Sequence, residues 1–386
     1  MNEIRTGQSV LAALKELKQQ LSERAVDIES AGRIPADLHA QLGAIGVYRL
    51  LTPRSHGGLQ ADIGDVLDVI ETLATIDGSL AWATVIGIQS PSVLSWLPKD
   101  VFDALYASTP DVTVGGAFAP QGRAEVVEGG YRISGRWAFG SGCDNWDYLF
   151  GNCVIIEGGG PVPGPDGKPA MRAMLFSRDR AKLLDTWHTL GMRGTGSKDF
   201  VVEDLFVPRS HSFDPMTAAP CVDGIFRYPL IEFGNHLAMI AIGVAQGALN
   251  DLVPMTAGRQ RVFSSTAIAA DPVVHHRIGK VETALRAARS LLREQALRER
   301  EVDEGADAMQ LMAVASANNA WVLETCTAVV DACFQTNGAR GIYNQSSLQR
   351  RLRDIYTIGQ HATLNDTAWT RWGAGIFGQG APLPPG

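Results

Sequence analysis

The sequence predicts a mostly helical protein with one β-domain in its middle. An N-terminal helical domain leads into an antiparallel β-barrel or sandwich, and a C-terminal helical bundle follows. Three observations carry this. Apolar residues recur at three- and four-residue steps near both ends of the chain. Between them the period shortens to two, in runs rich in β-branched and aromatic residues. Those runs are many, short and separated by turns, which suits an antiparallel barrel or sandwich better than a parallel sheet. The expected domains are 1–110, 111–215 and 216–386.

In the first domain Val10, Leu11, Leu14, Leu17, Leu21 and Ala25 form the apolar stripe of an amphipathic helix. Pro35 fits the first turn of the next helix, which ends near Gly43. Thr52 to Gly58 reads as a turn-rich loop in which His56 is most simply a solvated side chain. Ile63 to Ile76 and Ser79 to Leu97 are again helical, with Asp77 and Ser79 placed to cap the second. That second helix is apolar almost all round and should be central. Trp82 and Gln89 are its large polar-tipped residues, seven apart and so on one face. They either satisfy neighbours in the core or line a pocket, which makes both candidate substrate contacts.

From Val112 the β-type runs begin, with Gly129-Gly130 as a hairpin turn. Pro161 to Gly167 reads as an exposed loop, and the last run ends before Pro208. After Pro229, Leu237 to Leu252 is a long apolar helix whose Gly243 and Gly247 permit close packing. Val273 to Arg300 and Ala308 to Phe334 are two more helices. Cys326 and Cys333 share the inner face of the latter and read as small core residues. The Pro/Gly tail 378–386 has no regular pattern.

Bulk properties exclude several classes of function. The 386 residues carry a formal charge of −7, which gives no basic footprint for nucleic acid. The 45% hydrophobic and 19% charged content is that of an ordinary globular chain. No apolar run is long and uninterrupted enough to span a bilayer, and Leu237 to Ala248 reads as a core helix. Five scattered cysteines without a CxxC pair, and a polar N-terminus without a signal peptide, lead us to expect a reducing cytoplasm. His275-His276 and the scattered carboxylates make no metal constellation. P-loop, HExxH and GxSxG motifs are absent, and no GxGxxG stands in the strand-to-helix setting of a Rossmann fingerprint.

Two stretches remain that bear chemistry. Asn337-Gly338-Ala339-Arg340-Gly341 is a glycine-rich turn whose backbone N–H groups suit an anion. It continues into a helix with Leu348, Leu352, Ile355 and Ile358 on its buried face. Arg353 and Asp354 are adjacent there, so their partners lie elsewhere. His361 follows, an imidazole that can titrate near neutral pH and can face a cavity, although on this stretch alone the simpler reading is a glycine helix cap and a satisfied surface histidine. The second stretch is Arg136-Trp137-Ala138-Phe139-Gly140-Ser141-Gly142-Cys143, at a strand end. Its aromatics offer a face to a flat ring and Ser141 a hydroxyl to the ring's edge.

The helical–β–helical order and these motifs resemble the acyl-CoA dehydrogenase fold over nearly the whole chain. Gly135 to Gly142 is similar to that family's strand-end flavin segment. The resemblance places Trp137, Phe139 and Gly142 at the flavin, with Phe139 covering the ring and Ser141 bonding N5. Gly191-Met192-Arg193-Gly194-Thr195-Gly196-Ser197 resembles the segment that closes the β-domain. Arg259 or Arg261, ahead of Phe263, resembles the arginine that reaches a neighbouring subunit's flavin phosphates. The family's catalytic glutamate is missing: Ile355 to Ala362 holds no carboxylate, and His361 occupies or adjoins its slot. Glu232 lies only near the alternative position at Phe233 to His236.

Gly338-Ala339-Arg340 after Asn337, Leu348-Gln349-Arg350, Arg353-Asp354 and the terminal His361, together with Gly140-Ser141-Gly142-Cys143, resemble the oxygenase components of two-component flavin monooxygenases. The resemblance implies reduced FMN or FADH2 delivered by a separate NAD(P)H:flavin reductase, and O2 that adds at flavin C4a as a hydroperoxide. A small aromatic or heteroaromatic substrate is then oxygenated, in a homotetramer. A dry pocket is needed to stop loss of hydrogen peroxide, with Ser141 at N5 and His361 as base. One departure is Gln89, where several such oxygenases place a histidine. Two other readings are an FAD-bound acyl-thioester dehydrogenase using Glu232 as a displaced base, and a scaffold protein without chemistry.

Overall fold

The computed structural model describes residues 6–164, 167–215, 217–222, 226–262, 264–301 and 308–379. Phe263, the tail from residue 380 and part of the expected loop at 161–167 lie outside them.

Among the described residues, seven α-helices precede the sheet: α1 (Gly7–Glu23), α2 (Ala25–Ala31), α3 (Ala36–Ala44), α4 (Ile63–Ile76), α5 (Gly78–Ile88), α6 (Ser90–Leu94) and α7 (Lys99–Tyr106). Asp77 caps α5 by accepting from Leu80 N–H at 2.9 Å, the capping role expected of it. The helix expected to run on to Leu97 stops at Ile88, and a separate turn of helix, α6, starts before Pro91. Proline has no N–H to continue the ladder, so it favours a first turn. From Gly78 to Ile88 every residue but Ile86 is buried, so α5 is central as expected.

Eight strands follow: β1 (Val114–Val127), β2 (Gly130–Gly140), β3 (Tyr148–Glu157), β4 (Gly160–Pro161), β5 (Met171–Ser177), β6 (Lys182–Leu184), β7 (Lys198–Pro208) and β8 (Ser212–Phe213). They form one open mixed sheet in the order β6-β7-β2-β1-β3-β5-β8, with β4 beside β3. This corrects the antiparallel barrel or sandwich. β1 and β2 make the expected hairpin. The chain then passes across the end of β1 through residues 141–147, and β3 returns parallel to β1 on its other side. That crossing places Ser141 at the sheet's end rather than inside a ladder.

Five helices complete the chain: α8 (Pro229–Thr256), α9 (Pro272–Glu301), α10 (Ala308–Asn337), α11 (Ser347–Ile358) and α12 (Thr367–Ile376). α8 is long and apolar enough to cross a membrane, yet 72% of its most apolar window is buried inside the protein. It packs against α4, α5, α9, α10 and α11. Gly243 and Gly247 make this possible: a methyl group on either would lie 2.4 Å from Ala74 Cβ or 2.2 Å from the Arg351 guanidinium. Cys326 and Cys333 are fully buried, as their spacing implied.

Candidate active site

The site forms where β2 ends against α5. The pairing of β2 with β7 slips between Trp137 and Gly140, leaving a bulge. Phe139 sits in it with φ +64°, a conformation rare for a residue with a Cβ. Bulges re-aim side chains. Here the Phe139 ring is turned out of the sheet, 68% exposed, with Trp187 against its edge at 6.1 Å.

Two residues on, Ser141 meets α5. Trp82 Nε1 donates to Ser141 Oγ at 3.2 Å. Ser141 Oγ is 2.7 Å from Ser197 Oγ, and Ser197 Oγ is 2.7 Å from Thr195 Oγ1. Thr195 Oγ1 donates to the Met192 carbonyl at 2.8 Å. The Trp82 ring meets His361 edge-on, with centroids 5.4 Å apart. Phe233 of α8 approaches the same imidazole at 6.0 Å. One indole therefore carries Ser141 at its N–H and His361 against its ring.

His361 differs from expectation in its titration. Burial among these rings pushes its pKa down to about 4, away from neutrality. Its Nδ1 accepts the Thr363 N–H at 3.3 Å and lies 2.9 Å from the Thr363 hydroxyl. A backbone N–H can only donate, so we assign the hydrogen of the neutral ring to Nε2.

The other expected site residues divide. Trp137 is not a flavin contact: it is fully buried, stacked on Phe200 at 5.3 Å, with Nε1 bonded to the Asn152 carbonyl. Strand alternation points it into the core while the bulge frees Phe139. Gly142 spends its N–H on the Thr195 carbonyl at 2.8 Å and so fixes the turn instead. Gln89 is buried and bonded to His236 of α8. The two arginines have different partners. Arg259 donates to Asn337 Oδ1 at 2.6 Å and to the Asn337 carbonyl at 3.1 Å, beside Gly338, whereas Arg261 pairs with Asp271 at 3.3 Å. Arg259, Asn337 and Gly338 form a second cluster where α8 and α10 end.

Glu232, the displaced-base candidate, is committed to Arg300 at 3.2 Å, and burial raises its pKa. It lies 4.0 Å from His236 Nε2, a buried nitrogen with no hydrogen-bond partner among the described residues. Burial and Arg300 hold His236 neutral, with a pKa of about 3. Among the described residues no group of three His, Cys, Asp or Glu side chains gathers as a metal site. Sequence reasoning missed Ser197, Thr195, Phe233 and His236. The signal for the first two was in view: hydroxyls two residues apart around Gly196.

Residues 10–96 match the acyl-CoA dehydrogenase N-terminal domain, and 236–366 match its C-terminal domain. The chain is 34% identical over 368 residues to the indole-3-acetate monooxygenase of Pseudomonas putida, spanning 94% of this chain and 91% of that one. The chain belongs to the flavin-dependent monooxygenases of the acyl-CoA dehydrogenase fold. The monooxygenase oxygenase subunit HsaA of Rhodococcus jostii is 31% identical over 385 residues, 95% of this chain and 97% of its own. The crystal structure of the HsaA monooxygenase from M. tuberculosis matches with a TM-score of 0.86 at 27% identity, covering 99% of this chain and all of the other. This monooxygenase is therefore an oxidoreductase, and the thioester dehydrogenase and scaffold readings are set aside.

The residues present fit a flavin. Phe139 gives an open apolar surface, and the half-buried Ser141 hydroxyl stands two residues away for a polar ring edge.

Proposed function

We propose that this monooxygenase is the oxygenase component of a two-component system. It takes reduced FMN or FADH2 from a separate NAD(P)H-dependent reductase. One atom of O2 is placed on an aromatic or heteroaromatic small molecule and the other leaves as water. The supporting observation is the Trp82 indole shared by Ser141 and His361. The flavin, when bound, supplies two electrons and activates O2.

The chain's own residues do the rest. Phe139 seats the isoalloxazine and Ser141 holds the N5 edge. Trp82 and Phe233 wall the substrate side with apolar rings and exclude water. His361, neutral and protonated at Nε2, donates to an oxygen of the substrate and fixes the ring's orientation. Its low pKa replaces the neutral-range base expected from sequence.

The second cluster completes the reading. The bonds of Arg259 to Asn337, beside Gly338, support a role for it at the flavin phosphates. We assign it to the flavin of a neighbouring copy, in a homotetramer. Val253, Val262, Ile342 and Tyr343 leave large apolar surfaces exposed around this region, which supports assembly there. The resorcinol hydroxylase of Rhizobium sp., named FADH2-dependent, is 27% identical over 371 residues and supports FADH2 as the first cofactor to test. We also place the enzyme in the cytoplasm, where its five thiols stay reduced.

The test supplies the purified chain with a flavin reductase, NADH, flavin and 18O2, against a panel of phenols and indoles. Reductase-dependent oxygen uptake with one 18O in the product is expected, and His361→Ala should lower product formation about 100-fold or more. Flavin-dependent oxidation of an acyl thioester without oxygen incorporation would reject the reading.

A further inference from the structure

We infer that Ser197 and Thr195 are positioning residues that orient the Ser141 hydroxyl so that the site favours reduced over oxidised flavin. This rests on the flavin seat proposed above, but it concerns residues that reading does not use.

Four hydrogen bonds run in series from Trp82 through Ser141, Ser197 and Thr195 to the Met192 carbonyl. An indole N–H can only donate, and a carbonyl can only accept. Between those fixed ends lie three hydroxyls, each with one hydrogen. The indole hydrogen and three hydroxyl hydrogens serve the four bonds, so every donor points toward Met192. Ser141 accepts from Trp82 and donates to Ser197. It is left with one lone pair and no hydrogen to give.

The far end of the chain is fixed as well. Met192 N–H donates to Asp354 Oδ1 at 2.6 Å, and its carbonyl also takes Trp187 Nε1 at 2.9 Å. Thr195 and Ser197 are buried, so water does not reorder their hydroxyls.

Reduced flavin carries a hydrogen on N5 and oxidised flavin carries a lone pair there. A reduced N5–H donates to the spare lone pair of Ser141, and all four bonds persist. An oxidised N5 needs a hydrogen from Ser141. To supply it, either the Ser141–Ser197 bond is lost, or Ser197 and Thr195 both turn round and the bond to Met192 is lost. The difference is one neutral hydrogen bond, on the order of fivefold in relative affinity. The device lets product flavin leave and the next reduced flavin enter.

Thr195→Val removes the link that fixes the direction. Ser197 is then free to donate to Ser141, and Ser141 can serve oxidised N5 without loss. Ser197→Ala frees the same hydrogen by another route, whereas Thr195→Ser keeps the chain. The measurement is the dissociation constant of oxidised FMN and FAD in air, and of the reduced forms anaerobically, for wild type and the three variants. The oxidised-to-reduced ratio should fall about fivefold in Thr195→Val and Ser197→Ala and hold in Thr195→Ser. For a two-electron couple that is about 20 mV off the bound-flavin potential. An unchanged ratio, or equal weakening of both forms, overturns the inference and leaves the flavin reading standing. Binding of neither form by the wild-type chain overturns both.

Discussion

Ser141 is half-buried, and its hydroxyl touches two side chains whose own positions are set by distant elements, Trp82 on α5 and Ser197 at the start of the β7 segment. Replacing it with alanine removes the hydroxyl proposed to bond N5 while keeping the bulge and Phe139. We expect Ser141→Ala to divert a larger share of reduced flavin to hydrogen peroxide during turnover. Peroxide and product assays give the ratio directly, and an unchanged ratio would count against the N5 role. Glu299 offers a residue-scale test of the packing beneath α8. Burial lifts its carboxyl to about 8, opposed by its bond from Asn235 at 2.6 Å and reinforced by Glu232. The folded chain thus keeps a proton that the unfolded chain loses above its ordinary value of 4.5. Stability from this group is full below that value and declines as pH rises through about 8. In urea melts Glu299→Gln should gain on wild type steadily between pH 5 and 8. A constant difference would place the proton elsewhere.

Helix α11 shows how the elements hold the site. Arg353 and Asp354, adjacent in sequence, diverge as expected: Arg353 reaches Glu29 of α2 at 2.6 Å, and Asp354 accepts Met192 N–H at 2.6 Å. Asp354 is buried and its pKa rises to about 7, through burial first and Asp77 second. Asp354→Ala leaves a buried N–H unpaired and should cost about 2 kcal/mol in urea unfolding. An unchanged midpoint would show that the 191–197 segment is held without it. Much at this scale was legible in sequence. Helical period found the Leu348 stripe, with Leu348, Ile355 and Ile358 buried on α11. The partners were not legible: Gln89 meets His236, 147 positions away, and local period carries no such information. Likewise a two-residue period marks β1 and β3 as strands without saying that they run parallel. Trp137 and Phe139 share a strand face by alternation, and only the bulge tells the buried ring from the exposed one.

At the scale of the molecule, three layers of helices and sheet converge on one indole, and the Arg259–Asn337 cluster stands apart from it at the end of the bundle. The proposed flavin, shared between neighbouring copies, would span both clusters. Sedimentation of the purified chain should give a tetramer, and a monomer at micromolar concentration would refute the shared site. The most direct test of the whole account is a crystal structure with reduced flavin bound. It should show the isoalloxazine against Phe139, N5 about 3 Å from Ser141 Oγ, and His361 across the remaining space beside Trp82. A ring seated elsewhere, or turned so that N5 faces away from Ser141, would contradict it.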